Sequence, residues 1–464
     1  VIAVSIDIGS TWTKGARFSV RPDGLGLERR TVVATTTDNL ADGFQAVLEQ
    51  LVDGPDPLEQ IRNGQIRLSY SSSAKGGLAV AALGIVPEIT LESARIAAYS
   101  AGAKVTKVFS YRLTKSDIRA LEASQPDILL FAGGTDGGHV DCVLANADAL
   151  ARSSVGCSIV YAGNRALQDD VALRLADKDL IVVDNVLPEM NLPNPDPARE
   201  AMRGIFLEKI VKGKGLDTII ARTGVEPMPT PYAVYEFAKH ISKTVPGWSD
   251  FILLDMGGAT TDVYSAHRET PEPGTILRGL PELEVKRTVE GDLGLRVSAL
   301  SASEAVRDLV ADALGRDADR IAAFDDYIQS VARQPDYLPD DAQGQAFDAI
   351  LAGACVAQAC GRHAGRTTDV YTCDGKVRVQ TGRDLTKVKR IIGSGGWLSQ
   401  SAAFNPAPWL GRMGVDARGR AVLLPTDIEY FRDEQYLFPL LANVARIFPD
   451  EAASAGIDLL VAQQ

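Results

Sequence analysis

Apolar positions along the chain fall into short continuous runs at first, then into helical spacing. Val1 to Ile8 is almost unbroken and rich in β-branched residues, as a buried strand requires, and Gly15 to Val20 and Leu27 to Ala34 read as strands around an Arg-Pro-Asp-Gly turn at Arg21 to Gly24. Ala41 to Val52 carries helical periodicity and Ile66 to Tyr70 is a further strand, giving a βββαβ order. From about Glu88 the pattern alternates. A helical Leu91 to Ala101 is followed by strands at Ile128 to Ala132, Ser158 to Ala162 and Leu180 to Asp184, which predicts an inserted α/β domain.

Proline clusters at Leu192 to Pro197 and Pro227 to Pro231 read as boundary segments. Beyond them a helix is predicted over Ala233 to Thr244, then a strand-turn-strand unit beginning at Phe251. Helices follow around Ala299 to Leu314, Arg320 to Val331 and Ala342 to His363. Asp374-Gly375, flanked by Asp369 to Cys373 and Lys376 to Gln380, is the strongest short hairpin signal. The expected domains are residues 1–87, residues 88–226 as the insertion, and residues 227–464, with a C-terminal helix returning to the first lobe.

At 464 residues the chain exceeds the size at which one core usually divides, in keeping with two or three domains. A net charge of −12 argues against a nucleic-acid partner, because phosphate neutralisation on that scale needs clustered Lys and Arg. No run reaches the length of a membrane-spanning helix, and Asp7 interrupts the apolar start, so no signal peptide or membrane association is expected and the expected location is cytoplasmic. Five scattered cysteines without a Cys-x-x-Cys pair read as free thiols.

The chemistry is concentrated in two Asp-led, glycine-rich turns at strand ends: Asp7-Ile8-Gly9-Ser10-Thr11-Trp12-Thr13-Lys14 and Asp255-Met256-Gly257-Gly258-Ala259-Thr260-Thr261-Asp262. Glycines let backbone N–H groups approach phosphate oxygens, hydroxyls add donors, and a strand-end carboxylate can hold a hydrated Mg²⁺ that bridges the phosphates. A third segment, Lys389 to Leu398, reads as a buried strand, a turn at Gly393-Ser394-Gly395-Gly396 and a helix start, where adenosine can lie against bare backbone.

The order of these three motifs resembles the actin-like ATPase superfamily, with its phosphate-1, phosphate-2 and adenosine motifs. That resemblance implies an α/β, actin-like (RNase H-like) two-lobed ATPase with an inserted α/β domain. The Asp-Ile-Gly-Ser-Thr start, Ser72 to Leu78, Gly133-Gly134-Thr135-Asp136-Gly137-Gly138, the Asp255 turn and Thr288 to Gly294 together resemble a narrower family, the MutL-type glutamate mutase accessory proteins, nearly end to end.

Carried over by motif, the resemblance implies ATP and Mg²⁺ as cofactors. Asp7 and Asp255 would hold the hydrated metal, and Asp255 or Asp262 would position the attacking water. Backbone at Gly9, Ser10 and Thr11, and at Gly257, Gly258 and Ala259, would cradle phosphates with help from the hydroxyls of Thr11, Thr260 and Thr261. Gly393, Ser394, Gly395 and Gly396 would accept adenosine, while Lys14 either neutralises phosphate or faces solvent. The family further implies a chaperone-like partner role, ATP-driven release of damaged cobalamin from an adenosylcobalamin-dependent mutase or aminomutase. The competing enzyme readings are an ATP-dependent hydantoinase or oxoprolinase and a small-molecule kinase. Oligomeric state, including a homo-oligomer, is left open.

Three further segments keep two readings each. Gly133 to His139 either cradles a ligand or presents a partner loop, or is a tight strand-to-helix turn capped by Asp136. Ser71 to Leu78 is either a cleft loop or a surface turn. Glu290 and Asp292 sit either near Mg²⁺ or ribose or in a solvated turn.

Overall fold

The computed structural model describes residues 1–21, 24–36, 38–54, 56–73, 78–210, 215–373 and 375–463. The turn residues 22–23, the loop residues 74–77 and residue 374 of the hairpin signal lie outside the described residues. The chain divides into two units, one of Val1–Phe237, Gly279–Pro281 and Pro439–Ala455, the other of Ala238–Arg278, Glu282–Phe438 and Gly456–Gln464.

In the first unit, β1 (Ile2–Ile8), β2 (Trp12–Arg21), β3 (Gly24–Ala34) and β4 (Ile66–Ser72) carry out the βββαβ plan, with the helix Leu40–Leu51 between β3 and β4. Asn39 caps that helix, accepting from the Ala41 N–H, and the buried Phe44, Val47, Leu48 and Leu51 press its apolar face onto the sheet. The inserted segment supplies β5 (Ala79–Gly84), β6 (Lys104–Ser110), β7 (Ile128–Phe131), β8 (Ser158–Tyr161) and β9 (Leu180–Val182), and β10 (Met228–Pro229) returns to the first sheet.

That first sheet has the order β10-β4-β1-β2-β3, in which β1 is antiparallel to β2 and parallel to β4. The inserted sheet is wholly parallel, in the order β6-β5-β7-β8-β9. It opens at Ala79, ahead of the residue 88 expected, because the buried Ala79–Gly84 run is short, small-sided and without helical or alternating pattern. The proline segment at 227–231 contains a two-residue strand. It lies on the sheet edge, where a missing proline N–H is tolerated.

The second unit contains β11 (Phe251–Met256), β12 (Thr261–Ala266), β13 (Thr275–Arg278), β14 (Val285–Glu290), β15 (Arg366–Thr372), β16 (Gly375–Thr381), β17 (Arg390–Gly395), β18 (Ala421–Val422), β19 (Glu429–Arg432) and β20 (Val461–Gln463). Its main sheet runs β14-β12-β11-β17-β19-β20, and a smaller one runs β13-β16-β15-β18. In the main sheet β11 is antiparallel to β12, β12 antiparallel to β14, and β11 parallel to β17. Up to β19 this is the order and polarity of the first unit's sheet. The chain therefore folds the same strand plan twice, which makes it an actin-like α/β protein with a parallel α/β insertion.

The helix Ala342–His363 is buried along much of its length, and its Leu351 belongs to the same core cluster of the second unit as Phe324 and Ile328. The expected helix over Ala299 to Leu314 is two helices, Ala299–Ala305 and Arg307–Ala313, broken at Val306.

Candidate functional site

Each repeated sheet ends its first two strands in a turn closed by the same bond. Gly9 N–H donates to the Trp12 carbonyl at 3.1 Å, and Gly257 N–H donates to the Thr260 carbonyl at 2.9 Å. Among the described residues, the N–H groups of Ser10 and Thr11 in one turn, and of Gly258 and Ala259 in the other, meet no protein acceptor. Such successive open donors suit an anion.

In the first unit Asp7 is the last but one residue of β1, directly opposite Lys14 on β2 and Ser71 on β4. Its carboxylate is buried, and its Oδ1 accepts from Ser71 Oγ at 2.9 Å and Thr230 Oγ1 at 2.6 Å. Asn443 Nδ2 in turn donates to Ser71 Oγ at 2.9 Å and to the Ile6 carbonyl at 3.1 Å. Ser10, Thr11 and Trp12 are exposed. Thr35 Oγ1 braces the turn from behind by donating to the Gly9 carbonyl at 2.9 Å.

In the second unit Asp255 occupies the matching place, opposite Asp262 on β12 and Ser394 on β17. Asp255 is partly exposed, whereas Asp262 is buried in an ion pair. Arg287 on β14 donates to Asp262 Oδ1 from Nε at 2.8 Å, with Nη2 at 2.5 Å, and lies over the Tyr264 ring at 5.6 Å. Thr260 Oγ1 donates to the other oxygen, Oδ2, at 3.3 Å. Burial pushes the Tyr264 hydroxyl far above its ordinary range, so it stays neutral beside this pair.

The segment from Glu290 to Ser298 ties down the carbonyl side of the Gly257 turn. Leu295 N–H donates to Gly257, Arg296 N–H to Gly258, and Ser298 Oγ to Ala259 at 2.7 Å. A Cβ at Gly294 would lie 2.4 Å from the Ala259 carbonyl carbon, so only glycine permits this approach. Arg296 is itself clamped by Asp348 at 3.0 and 2.6 Å. Thr261 Oγ1 is spent on the Leu293 carbonyl.

At the third motif, Gly393, Ser394 and Gly395 are buried and Gly396 is exposed. A Cβ on Gly393 would overlap Tyr430 Oη at 1.9 Å, and Gly395, at φ +97°, would meet the Met256 carbonyl at 2.2 Å. These two glycines thus serve close packing within the sheet. Ser394 Oγ donates to Asp433 Oδ2 at 2.8 Å, and Asp433 also receives the N–H groups of Leu437 and Phe438.

The remaining motifs resolve differently. Glu290 and Asp292 are both paired with Arg362, with Nη1 at 2.7 Å from each, in a turn where the Asp292 and Arg362 side chains stay partly exposed. In the Gly133 loop, Asp136 does not cap the following helix. Its Oδ1 accepts from Arg165 N–H and from Asn185 Nδ2, each at 2.9 Å, while Asn164 Oδ1 accepts from Gly137 N–H. The helix Val140–Ala151 instead starts after His139 without a side-chain cap. Cys355 and Cys360 are buried free thiols.

Each turn, taken by itself, offers open amide donors of the kind that suit phosphate and a carboxylate near its strand end of the kind that suits a hydrated cation. Among the described residues no three His, Cys, Asp or Glu side chains gather as a metal cage, and Mg²⁺ on a nucleotide is commonly held by one or two carboxylates plus phosphate oxygens. No helix among the described residues is long and apolar enough to cross a membrane.

A family model described as MutL protein matches residues 3–458. The protein MutL of Clostridium tetanomorphum is 38% identical over 456 residues, covering 96% of this chain and 96% of that one. Among solved structures, a glycerol dehydratase reactivase aligns at 11% identity over 96% of this chain and 100% of that one, with a TM-score of 0.31. A carbohydrate kinase from Novosphingobium aromaticivorans aligns at 12% identity over 100% of this chain and 94% of that one, also at 0.31.

Proposed function

The chain belongs to the MutL protein family, and from that premise we propose that it is an ATP-binding and ATP-hydrolysing reactivating factor for an adenosylcobalamin-dependent mutase or aminomutase. The observation that carries the nucleotide part is the repeated turn, closed by the same Gly N–H bond and followed by two open amides in each unit. The partner part rests on the family.

Bound Mg–ATP would supply a phosphoryl group whose developing negative charge must be stabilised by fixed donors. The amides of Ser10 and Thr11, and of Gly258 and Ala259, would donate to phosphate oxygens from backbone that needs no reorganisation. Asp7 and Asp255 would receive waters of the hydrated cation. Of the two carboxylates able to orient the attacking water, Asp255 is the more exposed, Asp262 being buried with Arg287 on its Oδ1. Asp262 would then act by holding β12 and β14 together under the turn. Gly396, with nothing within 4 Å of its Cβ position, is the residue of the third motif with room for adenosine. The domain assignment that goes with this reading takes residues 1–87 and 227–464 as the nucleotide-binding parts and residues 88–226 as the insertion, with the first strand of the inserted sheet, Ala79–Gly84, ahead of that boundary.

The test is phosphate release from ATP by the purified protein, with and without a cobalamin-inactivated mutase and with no small acceptor present. Stimulation by the inactive mutase supports the proposal. Hydrolysis seen only with a hydantoin, oxoproline or sugar would transfer the chain to the enzyme classes.

A further inference from the structure

Thr230 lies 223 residues beyond Asp7, in a proline-flanked segment with no motif of its own, yet its hydroxyl donates to Asp7 Oδ1 at 2.6 Å. Pairing of Met228 with Ser71 and of Pro229 with Ser72 fixes its place, since β10 runs beside β4 and ends where the helix Thr230–Thr244 begins. The Thr230 side chain is buried there.

The direction of each bond follows from proton supply. Asn443 Nδ2 carries only donors, so Ser71 Oγ accepts from it and must give its single proton to Asp7. A carboxylate oxygen has no proton for Thr230, so Thr230 also donates. Two hydroxyl protons therefore converge on Oδ1, which fixes the plane of the carboxylate and fills that oxygen's lone pairs. Among the described residues no partner is recorded on Oδ2.

We propose that Thr230 is a positioning residue for Asp7: with Ser71 it saturates Oδ1 and orients the carboxylate so that Oδ2 receives a water of the hydrated Mg²⁺. This rests on the nucleotide reading above. Charge-assisted bonds of this kind are the strong ones, so loss of one donor releases the carboxylate to rotate.

The test is calorimetric titration of Mg²⁺ into protein saturated with a non-hydrolysable ATP analogue, for wild type, Thr230→Val, Thr230→Ser and Ser71→Ala. Thr230→Val keeps the shape and removes the donor. The Mg²⁺ concentration at half-saturation is expected to rise about tenfold or more, with Thr230→Ser returning it to the wild-type value and Ser71→Ala shifting it in the same direction. Unshifted Mg²⁺ demand in Thr230→Val and Ser71→Ala overturns the proposal. So does a Thr230→Ser variant as impaired as Thr230→Val, because the hydroxyl would then not be what matters. A wild-type protein that binds the analogue without any Mg²⁺ dependence refutes the reading of Asp7 itself, and is distinguished from the other outcomes by requiring no variant.

Discussion

Arg287 and Asp262 form a buried ion pair at the root of the Gly257 turn, with side chains 2% and 10% exposed and Nη2 to Oδ1 at 2.5 Å. The pair joins β14 to β12 one residue beyond the turn's second threonine. Its position makes it a structural brace, and removing one partner strands a charge away from water. Arg287→Ala or Asp262→Ala is expected to cost about 3–5 kcal/mol. Arg287→Met combined with Asp262→Leu should recover most of it, as read by urea denaturation. A single variant as stable as wild type would show that the pair is not a brace.

Asp255 and Asp7 call for different substitutions. Asp255 is partly exposed, so Asp255→Ala removes the charge at little structural expense. Asp7 receives two hydroxyls, so Asp7→Asn is the variant that preserves an acceptor for Ser71 and Thr230. Each is expected to lower Mg²⁺-dependent ATP hydrolysis by roughly a hundredfold or more while the denaturation midpoint stays near wild type. Phosphate-release rates equal to wild type in both variants would remove the site assignment.

A pH dependence of stability is expected from His363. Its Nε2 lies 2.7 Å from Ser265 Oγ and its Nδ1 lies 2.8 Å from Thr288 Oγ1. Burial, then the nearby Lys286 and Arg383, hold its pKa well below the ordinary 6.5. The folded protein thus binds fewer protons than the unfolded chain between the depressed folded pKa and the ordinary value. The stabilisation is complete above the ordinary value and is lost as pH falls through the window below it. Urea denaturation of wild type and His363→Gln from pH 7.5 to 5 should show the wild type losing stability faster. Parallel curves would exclude His363 as the cause.

Thiol reactivity should separate the cysteines cleanly. Cys355 and Cys360 are buried, and burial pushes the Cys360 thiol up to about 12 and Cys355 higher still, whereas Cys373 is exposed. With a charged disulfide reagent on native protein, Cys373 is expected to react first and Cys355 and Cys360 only on unfolding. Peptide mapping that finds either buried cysteine modified early would contradict the packing around the helix Ala342–His363.

Both Asp-led glycine turns were legible in the sequence because their pattern is local: an apolar strand, an aspartate and small residues within eight positions. Their supports were not. Ser71 and Thr230 reach Asp7, and Asn443 reaches Ser71, from three separate parts of the chain, and Arg287 reaches Asp262 from a neighbouring strand, so no spacing announces them. The glycines of the third motif were visible, but the packing partners that require Gly393 and Gly395, Tyr430 and Met256, became apparent only through sheet register. β5 and β6 escaped for a related reason. Ala79–Gly84 is all small or apolar and carries no period, and Lys104–Ser110 exposes three polar or β-branched residues on the sheet's outer edge.

The central claim is that ATP turnover by this chain restores a cobalamin enzyme. Its most direct test is to inactivate an adenosylcobalamin-dependent mutase by turnover, add this protein with Mg²⁺, ATP and free adenosylcobalamin, and follow mutase activity against a control with the Asp255→Ala variant. Recovery that needs ATP and fails with Asp255→Ala is the predicted result; equal recovery with the variant, or none with the wild type against every such mutase tried, would contradict it.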